Sequence, residues 1–139
     1  MSAKENKAVL LRGAEAFNNR ADRSGWFAIH DPSVLEYGLA PEPLGLESLK
    51  HFYSALWAAF PDLEITVDDL IAEDEKVAWR LTARGTHTGE FHGLPGTGTK
   101  VTFGAQYIFE LRNGKIVRRW TNLDRLGLMI QLGAVPAPA

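Results

Sequence analysis

Apolar residues recur at helical spacing up to Pro61 and at every second position beyond it. Leu10, Leu11, Ala14 and Phe17 form a stripe that predicts a helix from about Ala3 to Asn19, with Asn18-Asn19 marking its exit. A shorter helix is expected to start near Asp22 or Ser24. Asp31-Pro32 breaks it ahead of a short strand, Ser33 to Gly38, and a Pro-rich loop from Ala40 to Gly45. The widest apolar face follows in Leu49, Phe52, Tyr53, Leu56, Trp57 and Phe60, a helix that must pack on something as large as a sheet.

After Pro61 the alternation predicts strands through Leu63, Ile65 and Val67, and, past an acidic turn at Glu73 to Glu75, through Val77, Trp79, Leu81 and Ala83. A Gly-rich connection, Gly89 to Gly98, leads to Val101, Phe103, Ala105, Tyr107, Phe109 and Leu111. Asn113-Gly114 is then a strong hairpin turn into a last strand. Helices first and a meander afterwards predict an α+β fold, with helices covering one face of a curved antiparallel sheet.

Length narrows this to one domain over residues 1–133, because 139 residues bury enough surface without disulfides or metals. The Pro- and Ala-rich end, 134–139, reads as a flexible tail. A net charge of −2 gives no electrostatic reason to expect nucleic acid or a membrane surface as partner. The absence of cysteine excludes thiol catalysis and thiolate metal sites. Met1 to Lys7 are polar and no run reaches membrane-spanning length, so a cytoplasmic protein is the expectation.

Strict alternation along the last strand would put Ile116, Arg118, Trp120, Asn122 and Asp124 on one face and Val117, Arg119, Thr121 and Leu123 on the other. Trp120, Asn122 and Asp124 would then share a wall. Asp124 also precedes Arg125 to Met129, which reads as a terminal helix, so N-capping competes with chemistry for its carboxylate. His87 is in phase with the apolar face of Val77, Trp79, Leu81 and Ala83. It is either a proton partner for Asp124 or a structural histidine bonded to backbone. His92 lies in the Gly-rich connection, where it could guard a pocket mouth or be solvated. With no third ligand placed beside His87 and His92, no metal is expected.

Phe60-Pro61-Asp62-Leu63, Gly85-Thr86-His87-Thr88-Gly89-Glu90-Phe91 with Gly93 and Pro95, Gly114-Lys115-Ile116, Trp120, Asp124 and Gln131-Leu132-Gly133 together resemble the SnoaL-like polyketide cyclase family of the NTF2-like superfamily. The resemblance implies a cone in which helices and a strongly bent sheet enclose an apolar pocket. It implies ring closure by intramolecular aldol condensation without cofactor, and a homodimer through the outer sheet face. It also gives Asp124 the role of general acid/base, with His87 as helper. Trp120, Asn122, Tyr37, Tyr107, His92 and Trp79 would then contact a small apolar or aromatic carbonyl ligand. Tyr37 and Tyr107 stand where relatives carry other residues; either they donate to an oxyanion or they pack as core aromatics. A non-catalytic binding protein of the same fold is the alternative from another class. An isomerase or an epoxide hydrolase is the alternative within enzymes, the latter needing two acids and an arginine, whereas Arg80 and Arg84 alternate away from His87.

Overall fold

Ser2 and Glu5 cap the first helix reciprocally, each side chain accepting the other's backbone N–H at 3.1 Å, so that α1 runs Ala3–Phe17. The computed structural model describes residues 2–138; Met1 and Ala139, the latter the end of the expected tail, lie outside them. Asn18 closes α1 and clasps the sheet, donating Nδ2–H to the Ile65 carbonyl at 2.9 Å and accepting the Ile65 N–H at 2.8 Å. A short α2, Ser24–Ala28, follows and leads directly into β1, His30–Tyr37. The long α3, Leu46–Ala59, buries Leu49, Tyr53, Leu56 and Ala59 at helical spacing.

Beyond Pro61 come β2 (Glu64–Glu73), β3 (Lys76–Thr86), β4 (Lys100–Arg112) and β5 (Lys115–Leu123), and a last helix, α4, Arg125–Gln131. The β4–β5 turn uses Asn113 and Gly114 at φ 51° and 74°, the left-handed pair that a two-residue hairpin of this twist requires. Residues 134–138 form neither helix nor strand.

The sheet order is β1-β5-β4-β3-β2. It is antiparallel from β2 to β5, as alternation and turns predict, but β1 joins β5 in parallel, which makes the sheet mixed. No hairpin constrains β1: its chain returns through α3 and three strands before β5 reaches it. Helices cover the face carrying Val77, Trp79, Leu81, Val101, Phe103, Phe109 and Leu111, all buried; Arg80, Arg84, Gln106 and Ile108 point to the other side. Among the described residues no helix is long and apolar enough to cross a membrane.

Candidate functional site

A break in the ladder positions the site. Leu111 pairs with Ile116 and Glu110 with Arg118, leaving Val117 as an extra residue on β5. After this bulge the faces exchange: Arg119, Thr121 and Leu123 turn toward the helices, and Arg118, Trp120 and Asn122 turn away. Arg119 consequently enters the core with no exposed surface.

Each of its three guanidinium nitrogens donates a hydrogen bond there. Nε donates to Glu36 Oε1 at 2.8 Å, Nη1 donates to His30 Nε2 at 2.9 Å, and Nη2 donates to the Tyr53 hydroxyl at 2.5 Å. Four rings surround the cation, with centroids at 5.2 Å (Tyr107), 5.4 Å (Tyr53), 5.5 Å (Phe109) and 5.7 Å (Trp26). The Thr121 hydroxyl donates to the same Glu36 oxygen that Arg119 holds, while Oε2 has no partner.

The environment sets each protonation state. His30 donates Nδ1–H to the Trp26 carbonyl at 2.9 Å, which leaves Nε2 as the acceptor facing Arg119. Burial first, and then Arg119, push its pKa down to about 3, so the ring is neutral. Burial would lower the pKa of Arg119, but Tyr53, Glu36 and Tyr107 together raise it. Burial raises Glu36 above the ordinary carboxylate value and outweighs the opposing pull of Arg119 and Thr121. The arginine charge is therefore secure, and the carboxylate is the softer end of the pair. Tyr107 keeps part of its ring exposed, yet its hydroxyl end is enclosed; burial, then Tyr53, hold the phenol well above its usual pKa.

In front of this cluster lies an interior cavity of about 20 Å³, room for a water or two. Its wall is formed by Phe17, Trp26, Tyr53, Trp79, Phe103 and Tyr107 among others, with no carboxylate among the described lining residues. Trp26 and Trp79 stack at 5.9 Å and 7°, and neither indole N–H has a partner. The wall therefore offers donors and no strong acceptor.

Four of the sequence-predicted residues, Trp79, Tyr107, Trp120 and Asn122, border one depression of about 400 Å³ on the outer side of the sheet. Tyr107 and Trp79 also line the interior cavity. Trp120, Asn122 and Tyr37 do not, so the wall that Trp120 and Asn122 share is an outer one. The Val117 bulge turns the first two to the outer face, and Tyr37 stacks on Trp120 at 5.8 Å. Asp124 is exposed and caps α4, its Oδ1 accepting the Gly127 N–H at 2.9 Å. Together with Asn122, Arg80 and Thr82 it borders a surface depression on the outer side.

His87 is fully buried against Phe60, with Nδ1 2.9 Å from the Thr97 hydroxyl, and ties down the Gly-rich loop rather than lining the cavity. His92 borders an outer groove beside α3. Among the described residues no group of three or more His, Asp and Glu side chains is placed to hold a metal ion. Arg119, Glu36, His30, Thr121 and Tyr53 escaped the sequence reading as a site. The available signal was Glu36 in phase with the apolar Val34 on a strand whose other face is exposed.

The fold agrees with what the chain is similar to. AclR, a candidate hydroxylase from Streptomyces galilaeus, is 30% identical with a TM-score of 0.91, over 99% of this chain and 87% of that one. IdmH, a candidate polyketide cyclase from Streptomyces antibioticus, is 30% identical with a TM-score of 0.79, over 92% of this chain and 98% of its own. TsrD from Streptomyces laurentii is 27% identical with a TM-score of 0.84, over 97% and 99% of the two chains. No curated protein sequence is significantly similar to the chain. The SnoaL-like polyketide cyclase family matches residues 8–132, nearly the whole length, and the chain belongs to that family.

Proposed function

We propose that this protein is an enzyme whose interior cavity, about 20 Å³ as it stands, opens to admit a small, apolar carbonyl compound and stabilises the enolate or alkoxide it becomes, in the manner of a polyketide cyclase. The observation that carries this reading is the 2.5 Å bond from the buried Arg119 to the Tyr53 hydroxyl. Tyr53 accepts from a cation and its hydroxyl is in hydrogen-bonding contact with Tyr107, so on this reading its own proton is the one offered to a ligand in the cavity it lines, and the donation strengthens as a substrate oxygen gains negative charge. Tyr107 stands beside it as a second hydroxyl, and the unpartnered indole N–H groups of Trp26 and Trp79 belong to the same wall.

In an aldol closure a carbon beside the carbonyl loses a proton, the new carbon–carbon bond forms, and the resulting alkoxide oxygen gains a proton, so the reaction is balanced without a cofactor. Tyr53 is the catalytic residue of this scheme and donates to the oxygen. Arg119, Glu36 and His30 are positioning residues that hold Tyr53 and its field; no carboxylate lines the described cavity wall, so the carbon proton passes to solvent water and the alkoxide is protonated through Tyr53, which regains its proton from solvent, and the protons balance. Asp124, engaged as a cap, has no step in it.

A second reading is favoured by the absence of a carboxylate from the described cavity wall: a protein that holds such a ligand without turning it over. The outer sheet face, with Ile71 and Ile108 exposed at 66% and 46%, is the surface we assign to a second copy of the chain.

A mass-spectrometric turnover screen of aromatic polycarbonyl compounds separates the readings. Tyr53→Phe is expected to lose roughly 100-fold or more in kcat, the scale of a missing oxyanion donor, and Asp124→Asn to keep the wild-type rate. Retained ligand with no product from the wild type would favour binding alone. Full activity in Tyr53→Phe would refute the enzyme mechanism.

A further inference from the structure

The cavity that the proposed chemistry needs is nearly filled, and it has a much larger neighbour. An outer groove of about 540 Å³ runs between α3 and the loop joining β3 to β4, lined by Leu44, His51, Phe52, Leu56, Phe91 and His92 among others. Two side chains, Phe52 and Leu56, line both spaces: one side of each faces the groove and the other the interior cavity. They are one turn apart on α3, and the partition between outside and inside is therefore only one side chain thick. Phe52 remains half-buried, with its ring edge-on to Tyr53 at 5.1 Å. The ring of the partition thus touches the residue that carries the proposed chemistry.

The loop opposite is built differently at its base and its tip. At the base, Thr88 and Gly89 donate to the Ala59 carbonyl at 3.1 Å, and His87 and Gly98 close the neck through bonds of 2.9 and 2.7 Å with Thr99 and to His87 itself. The tip is a tight turn in which Phe91 and Leu94 exchange backbone bonds at 2.9 Å, with His92 and Gly93 at positive φ, 48° and 81°. A non-glycine residue held left-handed by two local hydrogen bonds is a place where conformational strain is stored. The anchored neck keeps the tip over the groove.

We propose that this groove is the portal of the cavity and that Phe52, with Leu56, is its door, which makes Phe52 the residue that sets the size of ligand admitted. The inference rests on the reading of the cavity as a ligand site. Rotation of the Phe52 ring joins the two spaces, the apolar part of a ligand passes inward, and His51, Glu90 and His92 remain at the rim to meet its polar end.

The test follows acrylamide, a small neutral carbonyl compound, into the cavity by its quenching of Trp26 and Trp79 fluorescence, with Trp57 and Trp120 replaced by Phe so that only the cavity-lining indoles emit. Phe52→Ala and Leu56→Ala are each expected to raise the bimolecular quenching constant about fivefold or more, as removal of a closed partition should. Leu126→Ala, exposed and remote from both spaces, should leave it unchanged. Circular dichroism identifies any variant that has lost its fold; Phe52→Leu then takes its place, with a smaller increase in the same direction. Folded Phe52 and Leu56 variants that are quenched like the parent would overturn the portal. Quenching needs no turnover, so an inactive protein with an open door would refute the chemistry and spare the portal.

Discussion

Acidification should attack this protein at His30. The ring is neutral because Nδ1–H is committed to the Trp26 carbonyl and Nε2 accepts from Arg119, 2.9 Å away. A second proton would turn that acceptor into a donor against a guanidinium. For a base whose folded pKa is lowered, the stability contribution is complete above the unfolded pKa and lost as pH falls toward the folded one, here from 6.5 to about 3. At about 1.36 kcal/mol per unit the whole window is on the order of 4–5 kcal/mol, of which on the order of 3 is gone by pH 4. That is a large part of a domain stability of roughly 5–15 kcal/mol.

Glu36, with its folded pKa raised above 4.5, has the opposite slope: its contribution is present below the unfolded value and fades as pH rises through the folded one. The His30 effect must therefore be read as a difference. Urea unfolding of wild type and His30→Gln at pH 7 and pH 4, followed by tryptophan fluorescence, supplies it, since Gln does not titrate. The variant should be less stable at pH 7. Wild type should then lose roughly 3 kcal/mol more than the variant on going to pH 4. Parallel losses, within roughly 0.5 kcal/mol, would refute the reasoning.

The remaining predictions concern the same core and its edge. Arg119→Met leaves Glu36 buried without its partner and should cost about 3–5 kcal/mol in chemical denaturation, whereas adding Glu36→Leu should recover a measurable part; a double variant no better than the single would remove the ion-pair account. Asp124→Ala should cost about 1 kcal/mol and Asp124→Asn only a few tenths, read by the same unfolding; equal costs would show that the Gly127 bond does not act as a cap.

Where structure follows from local spacing, the sequence showed it. The stripe of Leu49, Tyr53 and Leu56, the alternation of Val77, Trp79, Leu81 and Ala83, and the Asn113-Gly114 turn each depend on residues within a few positions of one another, and each forms as expected. The parallel pairing of β1 with β5 joins residues more than eighty positions apart, such as His30 with Ile116 and Tyr37 with Trp120. No local periodicity encodes it. Family resemblance marked the region around Trp120 and Asp124, but it says which elements come together rather than which way each side chain points.

The candidate site was hidden for a more specific reason. Alternation assigns faces only while the ladder is unbroken, and one unpaired residue reverses every assignment after it. Val117 is that residue, and nothing in Lys115-Ile116-Val117-Arg118-Arg119 announces it, because either arginine could take the inward place. What decides is the partner strand. Glu36 is buried beside Val34 on β1, and a carboxylate there is tolerable only with a cation and a donor brought to it. The bulge delivers both, Arg119 and Thr121, to one oxygen of Glu36. The same shift sends Trp120 and Asn122 outward to the face with Tyr37 and leaves Asp124 at the start of α4, where its carboxylate accepts a backbone N–H. The burial of Arg119 against Glu36 and the irregularity of β5 are thus one structural event. A single inserted residue exchanges which polar side chains the apolar core must satisfy, and it brings a buried charge against Tyr53, one of the residues that line the cavity.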